Sequence, residues 1–132
     1  ALQMIQRQPQ VGETLDDIVT NQFMDVTESK GEEAYQSEVT PQMTNSVGTI
    51  SYGVFTTIVT EAAKRVIRNV KKSDMVVENI TIYFIKPVQI DSTIEIRPKV
   101  LEVGRKFGKV DVEVYHEGNV VGKAMMMVQL IQ

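Results

Sequence analysis

The chain contains no cysteine and a single histidine, His116, among its 132 residues. Without cysteine there is no disulfide framework, no thiol nucleophile and no thiolate zinc site. One histidine and no cysteine also leave too few ligands for the usual zinc sites, so we expect no metal. The absence of cysteine is compatible with the cytosol, and we expect a cytoplasmic location.

Long hydrophobic runs and an excess of basic charge are missing as well. No apolar stretch approaches the length that crosses a bilayer, and no signal peptide is recognisable, so we expect no membrane partner. Lys and Arg number 14 against 17 Asp and Glu, which gives a formal net charge of −3. This balance predicts no nucleic-acid binding by the domain. The apolar content of 42% is ordinary for a globular protein, and the length fits one domain.

The N-terminal stretch differs in composition from the rest of the chain. Residues 1–13 are polar with scattered apolar side chains, and Pro9 and Gly12 end any helix that arrives from upstream. The chain also lacks an initiator methionine. We interpret 1–13 as a linker from an upstream region and 14–132 as the domain itself.

The rest of the chain is organised around the stretch from Asn45 to Lys72, which predicts one long helix entered through a glycine turn. Its apolar side chains recur at helical spacing and cover more than half of the circumference, which suits a helix wrapped by a sheet. They are Val54, Phe55, Ile58, Val59, Ala62, Ala63, Val66, Ile67 and Val70. Ser51 or Thr49 can cap the start, and Lys and Arg crowd the C-terminal end, where the macrodipole favours cations.

The remainder of the chain predicts β-structure. Two strands, at 23–28 and 34–40, flank a hairpin signal before the helix. After the helix, 76–85 carries β-branched and aromatic residues on both faces, which favours a central strand. Three more strands follow, at 92–103, 110–115 and 120–131. One long helix against one curved antiparallel sheet is an α+β arrangement.

This order of elements resembles the hotdog fold of the acyl-CoA thioesterase superfamily, over roughly residues 15–131. The resemblance is carried by N-x-x-G at 45–48, by the helix, by I-T-I-Y-F-I-K-P at 80–87 and by L-E-V-G-R at 101–105. It implies a long central helix wrapped by a curved antiparallel sheet, in the α+β class.

Two kinds of bacterial protein resemble the chain in more detail. The strand T-I-Y-F-I-K-P at 81–87 is similar to one in the effector domain of the fatty-acid and phospholipid regulator, a repressor that senses malonyl-CoA. The opening Q-R-Q-P-Q-V-G-E-T is similar to the junction before the C-terminal hotdog domain of DRTGG- and CBS-domain proteins. We favour the second parentage, which implies a sensing or regulatory module of a larger protein.

The resemblance also implies a partner and a ligand. The partner is a second copy of the chain, in a homodimer with two ligand sites across the interface, and pairing of dimers into a tetramer stays open. The ligand or substrate is an acyl-CoA or an acyl-carrier thioester, with no other cofactor. Its acyl chain is expected beside the helix and its phosphates near the glycine-arginine turn. The expected ligand-binding residues are Asn45, Gly48, Ser51, Gly53, Thr56, Thr60, Lys86, Arg105 and Lys106.

These binding positions have structural alternatives. The turn from Gly48 to Gly53 either presents amides to a carbonyl oxygen or an anion, or simply needs glycine flexibility. Thr56 and Thr60, at i and i+4, either hydrogen-bond a ligand or bond back to the preceding turn. The basic residues at 105–106 either meet the phosphates of CoA or keep a hairpin tip soluble.

The resemblance also bears on catalysis. Active thioesterases of this fold commonly show H-G-G-x-x-x-x-x-x-D or E, which falls here on Ser51, Tyr52, Gly53 and Thr60. Threonine cannot serve as the carboxylate that hydrolysis needs. Glu61 is the remaining candidate catalytic residue, although one helical step turns it by about 100° and a solvated surface acid is the alternative. The missing groups favour a non-catalytic sensor over an active acyl-CoA thioesterase or a structural dimerisation module.

Overall fold

The structure, a computed structural model, describes residues 25–29 and 32–131, so the predicted linker at 1–13 lies outside it. Within those ranges it shows one long helix against a sheet of six antiparallel strands. In chain order the elements are β1 (Asp25–Ser29), β2 (Glu32–Glu38), a 3-10 helix (Pro41–Met43), α1 (Tyr52–Val70), β3 (Asp74–Phe84), β4 (Thr93–Val103), β5 (Phe107–His116) and β6 (Asn119–Ile131). None of the described helices is both long and apolar enough to cross a membrane.

The helix α1 begins at Tyr52, directly after Ser51, one of the two predicted cap positions, and the residues before it fold into a loop around Asn45. The Asn45 Oδ1 accepts hydrogen bonds from the amides of Val47 and Thr49, each at 3.1 Å, and its Nδ2 donates to the Thr49 hydroxyl at 2.8 Å. Gly48 completes the turn at a φ of 82°, a left-handed conformation that glycine adopts without strain.

The predicted hydroxyl cap of this helix is wrong. Ser51 occupies the N-cap position, but its side chain makes no capping hydrogen bond. The other candidate, Thr49, has its hydroxyl engaged with Asn45 inside the loop. The amides of the first helical turn are therefore left for another acceptor, since they have none within the helix.

The predicted apolar band of α1 is confirmed as the centre of the core. The helix packs across β4, β5 and β6, and alternating residues of those strands meet it. The large side chains buried there include Phe55, Ile58, Ile67, Ile94, Ile96, Val110, Val112, Met126 and Val128. Each such side chain contributes about 1.5–3 kcal/mol when it leaves water, so this contact dominates the stability of the domain.

The strand β3 lies at an edge of the sheet, which corrects the prediction of a central strand. The strand order is β1-β2-β4-β5-β6-β3, and among the described residues β3 pairs only with β6. Its apolar side chains nevertheless remain on both faces: Val76, Val77, Tyr83 and Phe84 are 48%, 39%, 64% and 46% exposed. An unpaired edge with this much apolar surface is a template for another strand.

Candidate functional site

A pocket of about 160 Å³ opens at the N-terminal end of α1. It is built where the loop before α1, the first turns of α1 and the segment after β3 come together. Its lining residues, called here the apolar pocket, are Thr49, Ile50, Tyr52, Phe55, Phe84, Lys86, Pro87, Val88 and Val121. The lining is mostly apolar with few polar groups, the composition typical of small-molecule sites.

Three aromatic rings form one wall of the apolar pocket. The ring centroids of Tyr52 and Phe84 are 4.5 Å apart, and those of Phe55 and Phe84 are 5.5 Å apart, with tilted planes. Tilted ring pairs at such distances contribute about 0.5–1.5 kcal/mol beyond area burial. Phe55 is buried, whereas Tyr52 is 66% exposed and forms the solvent side of the cluster.

The backbone just before the helix start is fixed by hydrogen bonds to two other segments of the chain. The Ile50 amide donates to the Val88 carbonyl at 2.8 Å, and the Ser51 amide donates to the Met43 carbonyl at 2.7 Å. The first-turn amides of α1 then point toward a region where the helix dipole favours a carbonyl oxygen or an anion. Exposed Lys86 adds a positive charge to the lining.

The structure divides the predicted binding residues between the two ends of α1. At the N-terminal end, Lys86 lines the apolar pocket, Ser51 and Gly53 form the helix start, and Asn45 and Gly48 shape the loop before it. Thr56 and Thr60 follow one and two turns into α1, whereas Arg105 and Lys106 lie in the turn between β4 and β5. The single chain therefore does not bring all of them together.

Of the two threonines whose role the sequence left open, Thr60 hydrogen-bonds back to the preceding turn, and so does the neighbouring Thr57. The Thr60 hydroxyl donates to the Thr56 carbonyl at 2.7 Å, and the Thr57 hydroxyl donates to the Gly53 carbonyl at 2.8 Å. Thr60 therefore uses its proton within the helix, which leaves its oxygen as an acceptor only.

Glu61 is not the solvated surface acid that the sequence suggested as the alternative to catalysis. It is 6% exposed, and its Oε2 lies 3.0 Å from the Nζ of Lys64, which is 9% exposed. The burial of this carboxylate in an ion pair is explained by a structural role, without any part in catalysis. The i, i+3 spacing of an acid and a base was the sequence signal for this pair.

Basic side chains gather at the opposite end of α1. Arg68, Lys71, Lys72, Ser73, Asp74 and Ile131 line a groove of about 660 Å³, called here the cationic groove. The Lys71 Nζ donates to the carbonyls of Gly104 at 3.2 Å and Arg105 at 3.1 Å, which holds the β4–β5 turn against the helix. The helix has 19 residues, so its two ends are roughly 28 Å apart at a rise of 1.5 Å per residue.

With this geometry established, comparison with known proteins gives the family. The model of the thioesterase superfamily matches residues 47–123, more than half of the chain. This chain belongs to the thioesterase superfamily. It is also 60% identical, over its whole length, to the uncharacterised protein YtoI of Bacillus subtilis, and it spans 30% of that protein's length.

Solved structures confirm the hotdog fold for this superfamily member. Zebrafish thioesterase superfamily member 2 superposes with a TM-score of 0.81 at 20% identity, over 98% of this chain and 91% of that one. A hypothetical thioesterase from Streptococcus pneumoniae, solved with coenzyme A, superposes with a TM-score of 0.76 at 18% identity, over 82% and 85%. At such identities the likeness shows the fold alone.

Sequence reasoning missed the residues that form the walls of the apolar pocket. Tyr52 and Phe84 are far apart in the chain, and the register of β3 against β6 brings the end of β3 beside Gly122 and the helix start. That register could not be read from a single strand. The cations Arg68, Lys71 and Lys72 were recognised only as complements of the helix dipole.

Proposed function

We propose that this domain binds an acyl thioester of coenzyme A, or of an acyl carrier, in the apolar pocket. The observation that carries the proposal is the position of a 160 Å³ cavity directly at the start of α1. The aromatic and aliphatic lining suits an acyl group, while the open first-turn amides suit the thioester carbonyl oxygen. The Streptococcus pneumoniae relative, solved with coenzyme A, supports this ligand class.

The domain acts as a sensor rather than a hydrolase in this proposal. The pattern common in active thioesterases of this fold, H-G-G-x-x-x-x-x-x-D or E, begins with a histidine and ends with a carboxylate. In this chain those two positions hold Ser51 and Thr60. Neither is a carboxylate, and the Thr60 hydroxyl is engaged with the Thr56 carbonyl. Binding without an acid or base at these positions retains the ligand instead of turning it over.

The functional unit in this proposal is a homodimer formed through β3. The exposed apolar side chains of that edge strand, among them Val76 and Tyr83, would be covered by the same strand of a second copy. Two antiparallel β3 strands would then join the sheets of both protomers into one. Such pairing would make β3 an interior strand of the joined sheet, as its sequence predicts, although β3 is an edge strand in the single chain.

The domain belongs, in this proposal, to a larger cytoplasmic bacterial protein with DRTGG and CBS modules. The chain's 60% identity to YtoI, of which it spans 30%, supports a longer parent protein. A thioester bound between protomers would favour one dimer geometry over another, and the attached modules would respond to that shift in population.

Thermal unfolding with a panel of CoA esters tests the proposal. Acetyl-, butyryl-, hexanoyl- and palmitoyl-CoA are compared with free CoA at concentrations well above the expected affinity. A ligand at 100 times its Kd stabilises the folded state by about 2.7 kcal/mol, which is easily detected. If none of the esters raises the melting temperature, the domain is a structural dimerisation module.

An active acyl-CoA thioesterase is the second candidate, because Glu61 is buried rather than directed into solvent. The same esters are incubated with the domain and free thiol is measured over time. Steady release that Glu61→Gln abolishes, and that Glu102→Gln at an exposed position leaves unchanged, would replace sensing with hydrolysis.

A further inference from the structure

Two charged side chains are buried on the side of α1 that is turned away from the sheet. Ala62 is fully buried in the core, and β4, β5 and β6 lie on its side of the helix. A helix turns by about 100° per residue, so Lys64, two residues later, points away from those strands. Glu61 is on the flank beside Lys64, and both side chains are buried. The ion pair between them cannot exclude water by itself, so another part of the protein covers it.

The cover is local. The side of the helix that carries this ion pair, called here the outward face, consists of Thr57, Glu61, Lys64 and Arg68, which follow one another at spacings of three and four residues. Arg68 is exposed and Thr57 is half-buried, whereas the two residues between them are buried. Whatever covers the outward face therefore lies over its middle.

The chain enters the sheet beside the outward face. Asp25, the first residue of β1, pairs with Gln36 of β2. The residue before Gln36 is Tyr35, and the Cζ of Arg65 lies 5.7 Å from the centroid of its ring. Arg65 directly follows Lys64 in α1. The residues just before Asp25 therefore start next to the buried ion pair.

The segment that precedes β1 has apolar residues suited to packing on a helix. Residues 14–24 lie outside the described residues, and their sequence is T-L-D-D-I-V-T-N-Q-F-M. Leu15, Ile18 and Val19 recur at i, i+3 and i+4, the spacing of one apolar side of a helix. A helix of this length would extend roughly 16 Å, which is enough to cross the middle of the outward face.

The charges of the segment and of α1 are complementary. The helix carries one acid and three basic residues, which are Glu61, Lys64, Arg65 and Arg68. The segment carries two acids, Asp16 and Asp17, and no basic residue. Complementary charges favour this pairing over the pairing of two helices of like charge. A second copy of α1 would bring basic residues against basic residues.

We propose that residues 14–24 pack along the outward face of α1 and cover the pair of Glu61 and Lys64. This inference goes beyond the proposed function, because it assigns an interaction surface that takes no part in ligand binding. The first turn of α1 lines the apolar pocket, and its middle holds the segment that follows the predicted linker at 1–13. A shift of the helix is thereby passed to that linker through a packed contact.

Paramagnetic relaxation in the full chain tests the inference. Because the chain has no cysteine, a nitroxide on one introduced cysteine labels a single position. Arg68→Cys and Gly53→Cys place the label toward the two ends of the outward face, and a Cβ added at Gly53 would have only the Ser51 Oγ nearby, at 3.8 Å. Lys99→Cys, exposed on β4, is the matched control. The amide signals of 14–24 should lose most of their intensity with the two helix labels and keep it with the control.

The isotope scheme separates the segment of the same chain from that of a second copy. The labelled, isotope-enriched chain is refolded with an excess of unlabelled chain of natural isotope content, so that any second copy carries no nitroxide. If the signals of 14–24 keep their intensity with both helix labels, the inference is overturned. If they lose intensity only when nitroxide and isotope are on different chains, a second copy supplies the cover and the inference is overturned as well.

A variant of the segment tests the packed contact itself. Ile18→Ser should restore most of the lost intensity and raise hydrogen exchange in the middle of α1, because it removes an apolar side chain from the contact. Thr20→Ser, a conservative change outside the apolar spacing, should alter neither measurement. Intensity that stays low in the Ile18→Ser protein would show that the segment does not pack through this side. None of these measurements needs a ligand, so their outcome is independent of the proposed function.

Discussion

The ring of Phe55 lies against Gly122, and a Cβ atom added at Gly122 would stand 2.5 Å from the Phe55 Cζ. Phe55 is on the helix and Gly122 is on β6, so this contact fixes how closely the start of α1 approaches the sheet. The same ring lines the apolar pocket beside Val121. The glycine therefore sets both a packing distance and the shape of the candidate site.

Gly122→Ala should destabilise the domain by about 1–3 kcal/mol, because the added methyl overpacks the buried ring of Phe55, which also packs against Phe84. Chemical denaturation measures the loss. Gly53→Ala is the matched control. The atom nearest to the added Cβ would be the Ser51 Oγ at 3.8 Å, and alanine is more favourable than glycine in a helix. Equal effects of the two substitutions would contradict the packing argument.

Lys71→Met should destabilise the domain by about 1–2 kcal/mol, because it removes two hydrogen bonds from an ammonium group to the carbonyls of Gly104 and Arg105. Lys72→Met, at the exposed neighbouring position, should change stability by less than about 0.5 kcal/mol. Hydrogen exchange of the amides in the β4–β5 turn should rise in the first variant alone. A turn that stays equally protected would show that Lys71 does not anchor it.

The sequence pattern was sufficient for the helix, its apolar band and the strands, because spacing of apolar residues reports which face is buried. It failed for the helix cap, because Ser51 occupies the N-cap position without a capping hydrogen bond and the Thr49 hydroxyl is engaged with Asn45 in the loop. It also failed for β3, since apolar residues on both faces show that a strand will be covered but not which chain covers it.

The candidate site was predictable only in part. Lys86 follows from the K-P end of the strand, and it does line the pocket. The wall made by Tyr52, Phe55 and Phe84 depends on long-range register, which local spacing does not encode. The burial of Glu61 was not predicted, because acidic residues are mostly exposed in proteins. This one is buried and paired with Lys64, one helical turn away.

The pair of Glu61 and Lys64 should show strong coupling in a double-mutant cycle. Lys64→Met alone should cost about 3 kcal/mol or more, because it leaves a buried carboxylate without its counter-charge. Adding Glu61→Gln should recover part of that loss, since the uncompensated charge is removed with it. Additive losses in urea denaturation would show that the two groups act independently.

Tyr83→Asp should convert the dimer into monomers, because a charge on an edge strand opposes edge-to-edge pairing. Met125→Asp introduces the same charge on the interior strand β6, at a side chain that is 42% exposed, and should leave a dimer intact. Light scattering after size exclusion measures both masses. A tetramer that Met125→Asp splits into dimers would show that sheets also pack through that face, and a dimeric Tyr83→Asp protein would refute pairing through β3.

The volume of the apolar pocket should limit the length of the acyl chain. A cavity of about 150 Å³ in another protein holds a benzene molecule, so 160 Å³ has room for a ring or for roughly six carbons. Affinity should rise from acetyl- to hexanoyl-CoA, by about 0.8 kcal/mol for each methylene buried, and should gain nothing further with palmitoyl-CoA. Phe84→Ala should extend the limit, because Phe84 is a partly exposed wall of the pocket. Tightest binding of palmitoyl-CoA by the unsubstituted protein would show that the acyl group lies elsewhere, along a channel that the pocket does not bound.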